Sequence, residues 1–143
     1  MIKHALLDLY RSHSNRFMSG ALALYLVMLI FASNTFLERT LIGMFNDKLL
    51  HFLIYSIIAA LVYRGLVLEF FIERLLATLG IVGGMAAVDE LLQLVSNHRV
   101  ADFDDWLYDV LGAVFVLMCV LAYRSITQVI ANVRNANGDE EPR

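Results

Sequence analysis

Cysteine is almost missing from this chain. Cys119 is the only one in 143 residues, which excludes an intrachain disulfide and leaves no thiolate set for a metal. Cys119 falls inside an apolar segment, where it reads as a small packed or lipid-facing hydrophobe. Charge is scarce too: 17% of residues are charged and 59% apolar, a balance too greasy for a soluble domain of this length. The chain also lacks a glycine-rich phosphate loop, a nucleophile elbow and a basic aromatic surface. Those absences remove the soluble nucleotide-binding, hydrolase and nucleic-acid-binding templates, and with them a nucleic-acid partner.

What the chain has is long apolar runs. Four stretches, at 17–36, 49–68, 75–95 and 106–123, approach the roughly 20 residues that a helix needs to cross a bilayer. The first could pass for a secretory signal, but it is long and has no small-x-small cleavage site, so it reads as uncleaved. Ahead of it, Ile2, Leu6, Leu9, Tyr10 and Phe17 recur at helical spacing with Lys3 and Arg11 between them, which predicts a short interfacial helix. The expected fold is all-α, a polytopic four-transmembrane-helix bundle. Its parts are an amphipathic segment at 1–16, the membrane domain at 17–124 and a polar tail at 125–143, whose end NANGDEEPR has a disordered composition. Gly80 and Gly84 stand at GxxxG spacing, with Gly83 and Ala87 a further pair, so close helix packing is expected there.

Orientation follows from the basic residues. Lys3, Arg11, Arg16, Arg64, Arg74, Arg124, Arg134 and Arg143 fall on one side of the expected spans, and only Arg39, Lys48 and Arg99 on the other. The positive-inside rule then sets both termini in the cytoplasm (N-in/C-in). Loops 37–47 and 96–105 face outward, carrying most of the remaining charge with them.

That charge is concentrated. Asp47, Lys48 and His51 share one face of the second span, with Tyr55 one turn deeper. Asp89, Glu90 and Gln93 sit near the end of the third. Arg99 precedes Asp102, Asp105 and Asp109, spaced by three and four, with Gly112 next on the same stripe. Three helices thus aim polar faces at one point near one membrane face, where ionisable groups cost a few kcal/mol each by insertion scales. Function is the default explanation of such a cluster.

The strings DKLLHFLIY at 47–55, DELLQL at 89–94 and RVADFDDWLYDVLGA at 99–113 resemble the three signature blocks of the VanZ-like family of small bacterial integral membrane proteins. The pattern of that family maps onto Asp47, Lys48, His51, Phe52, Asp89, Glu90, Gln93, Arg99 and Asp105. Two positions depart from it. Asp102 stands where relatives often carry a small or hydroxyl residue, and Asp109 where they often carry Asn, so this site is more acidic than the pattern. The resemblance implies a multi-pass protein of the bacterial cytoplasmic (inner) membrane with a role in the cell envelope. The family is linked to resistance to teicoplanin, an antibiotic that acts on lipid-linked cell-wall precursors outside that membrane.

The residue chemistry points to a site for the head group of a phosphorylated membrane lipid or lipid-linked precursor, with or without reaction on it. Lys48 and Arg99 would hold phosphate, Arg through its bidentate fork. Asp47 and Gln93 would complete the binding set. His51 and Glu90 are the acid and base candidates. Asp89, Asp105 and Asp109 offer hard oxygen ligands to Mg²⁺, Mn²⁺ or Ca²⁺. Two other readings stand beside this one. Intramembrane carboxylates and a His also serve proton-coupled carriers, although four short helices would then need a homo-oligomer. Alternatively the protein is an accessory subunit with a structural network, Asp47 pairing with Arg99 and Lys48 with Asp89 or Glu90, and Asp104 acting as a cap or a solvated charge.

Overall fold

A computed structural model describes residues 2–33, 46–95 and 103–138. They form four helices: α1 (Ile2–Ser33), α2 (Asp47–Gly65), α3 (Phe71–Val95) and α4 (Phe103–Gly138). Among the described residues there is no strand, as the all-α expectation required. Three of these helices, α2, α3 and α4, are long and apolar enough to cross a membrane. The chain is a multi-pass membrane protein. Among the described residues, only 33%, 28% and 17% of the most apolar stretch of each of these helices is buried within the bundle, which leaves wide apolar surfaces of the kind that lipid covers. Leu53, Ile57, Leu76, Leu91, Phe115 and Met118 all lie on that outward surface.

α1 is one unbroken helix, so the stretch expected to be interfacial and the start of the first span belong to the same element. The expected end of that span, at 34–36, lies outside the described residues. α2 begins sharply because the Asn46 side chain accepts a hydrogen bond from Lys48 N at 3.1 Å, satisfying one of the free donors of the first turn. Asp47 in that turn and Arg64 in the last both complement the helix dipole. A short connection at 66–70 then returns the chain into α3, antiparallel to α2.

α4 is longer than the expected fourth span. It continues through Gly138, well past Arg124, where the fourth span was expected to give way to a polar tail. Ile126, Val129, Ile130 and Val133 recur at helical spacing, and the chain meets no glycine between Gly112 and Gly138 to end the helix. Residues 139–143 lie outside the described residues.

The core centres on α2, which touches all three other helices and packs most extensively against α4. Its buried stripe is His51, Tyr55, Ile58, Ala59, Val62 and Gly65. Ala21, Tyr25 and Met28 of α1, Val82 and Ala86 of α3 and Ala113 of α4 close around it. α2 and α4 approach closely at Gly112: a Cβ there would collide with the Phe52 carbonyl oxygen and lie 3.0 Å from Ser56 Oγ. Ser56 Oγ donates to Phe52 O within its own helix at 2.7 Å and across to Gly112 O at 3.2 Å. At the other end of α2, Gly65 admits Met18 of α1, and its carbonyl accepts a hydrogen bond from Ser14 Oγ.

Gly80 and Gly84 do not mediate packing among the described residues, where a Cβ added to either meets nothing within 4 Å. The reason is rotational. The buried stripe of α3 runs through Leu75, Thr78, Val82, Ala86, Asp89 and Gln93, and Gly80 and Gly84 each lie two residues from Val82, about 200° around the helix. They face outward. Gly83 is nearer the interface, and its carbonyl accepts a hydrogen bond from Trp106 Nε1 at 3.3 Å, tying α4 to α3.

Candidate functional site

The start of α2, the end of α3 and the start of α4 meet at one end of the bundle, and their polar side chains point inward. His51 and Asp109 form the centre: Nδ1 of His51 lies 2.9 Å from Oδ1 of Asp109, with the histidine side chain 8% exposed and the carboxylate fully enclosed. Asp89 approaches from α3 and is also buried. One ligand atom from each of His51, Asp89 and Asp109 falls within 4.8 Å of the others. A second group of the same kind, nearer the surface, comprises Asp47, His51 and Asp105, and His51 belongs to both. Nε2 of His51 is 4.0 Å from Oδ1 of Asp47.

Lys48 closes the outer edge. Its Nζ lies 3.2 Å from Asp105 Oδ1 and 3.8 Å from Asp104 Oδ2, and 5.7 Å from the centre of the Tyr108 ring. Asp104 is 62% exposed, as expected of a solvated first-turn residue, yet it stays within reach of this ammonium. Glu90 is half-buried one residue beyond Asp89 and accepts a hydrogen bond from Gln93 Nε2 at 3.4 Å. Arg99 and Asp102 lie outside the described residues, as does His98.

Two buried oxygens carry information. Asp109 Oδ2 and the Tyr55 hydroxyl have no hydrogen-bond partner among the described residues. Leaving a buried polar atom unsatisfied costs about 1–3 kcal/mol, more when it is charged, so both atoms favour whatever polar species enters the cluster. Tyr55 lies one turn below His51, its ring parallel to the imidazole with centroids 6.5 Å apart. The 2.9 Å separation of His51 Nδ1 and Asp109 Oδ1 also suits a shared cation. Neighbouring ligands in an octahedral shell of about 2.1 Å radius stand about 3 Å apart.

Residues 8–126 match the sequence profile of the family described as VanZ/LLP1. The chain belongs to the VanZ/LLP1 family. No curated protein and no solved structure matches it. The match runs from the first turns of α1 to just past Arg124 on α4, so it includes every residue of the cluster. Within this VanZ/LLP1 chain, Asp109, a departure from the family pattern and a candidate metal ligand, is the buried partner of His51. Tyr25 went unnoticed altogether. It reaches from α1 to donate its hydroxyl to Met85 O at 3.0 Å, one turn below Asp89, and no spacing rule signals a contact between helices so far apart in sequence.

Proposed function

We propose that this VanZ/LLP1 protein binds the head group of a phosphorylated lipid or lipid-linked cell-wall precursor at the outer face of the bacterial inner membrane. In this reading the bundle has four spans, α1 included, and both termini are cytoplasmic. The observation that carries it is the buried His51, Asp89 and Asp109 set, with Asp109 Oδ2 lacking a hydrogen-bond partner among the described residues. Carboxylates this close repel one another, and a divalent cation relieves that repulsion while presenting its open positions to phosphate oxygens. Asp89 and Asp109 supply hard oxygen ligands and His51 a nitrogen that Mn²⁺ also accepts. Lys48 and Arg99 contribute positive charge for the phosphate, with Asp47 and Asp105 around Lys48 and His51 in the outer part of the site. His51 and Glu90 are the groups suited to proton transfer, should the bound head group also react.

Phosphorus NMR of polyprenyl phosphate, polyprenyl pyrophosphate and phosphatidylglycerol with the purified protein tests the proposal. Wild type is expected to shift or broaden the signal of one of these lipids only when Mg²⁺ is present, and His51→Leu/Asp109→Leu to abolish the effect. A new phosphorus species made by wild type alone would add turnover to binding. Unchanged spectra, or equal effects with the variant, would contradict the site.

The orientation is tested separately. A single cysteine at Asn97 in a Cys119→Ser background should react with a membrane-impermeant maleimide added to intact cells whose outer barrier is permeable to it. Reaction only after lysis would reverse the topology.

A further inference from the structure

The other end of the bundle has a cavity of about 940 Å³ to which all four helices contribute, remote from the carboxylate cluster. Arg64 in the last turn of α2, Arg74 in the first turn of α3 and Arg124 on α4 converge on it. We propose that this cavity holds the phosphate of an anionic phospholipid, with an acyl chain lying along α4.

The three guanidinium groups are arranged for such a ligand. Each stacks on an aromatic ring: Arg64 lies 5.2 Å from the centre of Phe17, Arg74 5.6 Å from Tyr63 and Arg124 4.1 Å from Phe71. A guanidinium held over a ring by a cation–π contact keeps N–H donors for phosphate oxygens. Among the described residues none of the three is ion-paired; Glu69 and Glu73, the acidic residues nearest in sequence to Arg74, are exposed and make no salt bridge. Arg74 Nη2 donates to Leu68 O at 2.6 Å, whereas its Nε is buried with no acceptor among the described residues. Three like charges around one cavity, one with a buried unsatisfied donor, call for an anion.

The apolar part of the cavity selects a lipid over a small ion. Val120 and Val116 line it one and two turns from Arg124, toward the middle of the span. A free phosphate would occupy the arginine end and leave that wall unfilled, while a phospholipid fills both. These arginines belong to the end of the bundle richest in basic residues, which the positive-inside rule sets against the anionic cytoplasmic leaflet.

Native mass spectrometry of the full chain released from nanodiscs of equal phosphatidylglycerol and phosphatidylcholine tests this without divalent cation, so the outcome is independent of the carboxylate site. Wild type is expected to retain phosphatidylglycerol over phosphatidylcholine by about tenfold or more. The preference should fall to near parity in Arg74→Gln/Arg124→Gln and survive in part in Arg74→Lys/Arg124→Lys, which keeps the charge and serves as the folding control. Parity in wild type, an undiminished preference in the glutamine variant, or release of the lipid by excess inorganic phosphate would each overturn the proposal.

Discussion

Gly112→Leu should prevent α2 and α4 from assembling, while Gly84→Leu should leave the purified protein as stable as wild type. At Gly112 even a methyl group runs into the Phe52 carbonyl oxygen, and backbone cannot swing aside as a side chain can. Overpacking costs about 1–3 kcal/mol and occasionally more. The upper end applies here, because the displacement would also break the Ser56 contact to Gly112 O and widen the gap between His51 and Asp109. In a bilayer, association of helices depends on such close packing, since lipid is as apolar as the residues it would replace. Thermal unfolding in detergent, followed by the near-ultraviolet signal of Trp106, reads both variants. An unaltered midpoint for Gly112→Leu would refute the packing of α2 on α4.

Replacing His51 alone with leucine should cost about 3–5 kcal/mol, because it strands the Asp109 carboxylate in the interior without a partner. Replacing both, as His51→Leu/Asp109→Leu, should recover most of that loss, since two apolar side chains of similar volume remove the burial penalty along with the pair. Folding in the double variant therefore survives while head-group binding does not. The pair lies 2.9 Å apart with both members enclosed, so the two single replacements are expected to be strongly non-additive in a double-mutant cycle. Additive losses would mean that the two residues do not act as a unit.

These two expectations mark where the sequence is legible and where it is not. Apolar run length is a strong signal, and it is enough to specify an all-helical membrane chain with spans close to α2, α3 and the first part of α4. Helical spacing also gives the polar stripes: Asp47, Lys48 and His51 do lie along one side of α2, and Asp105 and Asp109 along one side of α4. Which stripe meets which is another matter. The pairing of His51 with Asp109 and of Lys48 with Asp105 depends on the rotation and depth of whole helices, which a one-dimensional pattern does not contain. The glycines illustrate the same limit. GxxxG spacing identifies a face of α3 that can be approached closely, but the buried face is set by the opposite side, and the contact that needs a glycine is at Gly112. Beyond Arg124 the chain stays helical to Gly138, with Ile126, Val129, Ile130 and Val133 at helical spacing among the polar residues that give this stretch its composition. The arginine cavity is likewise a product of tertiary structure, gathering residues from three helices whose basic character alone suggested only orientation.

A divalent cation held by the carboxylate and histidine cluster against a lipid phosphate is the core of the proposed site. Electron–nuclear double resonance of Mn²⁺ bound to the protein in polyprenyl phosphate micelles tests it most directly, because it reports the nuclei touching the metal. A nitrogen coupling from His51 and a phosphorus coupling from the lipid are expected in the same spectrum, both lost in the folded His51→Leu/Asp109→Leu variant. A phosphorus coupling that persists in that variant, or a wild-type spectrum of Mn²⁺ with neither coupling, would contradict it.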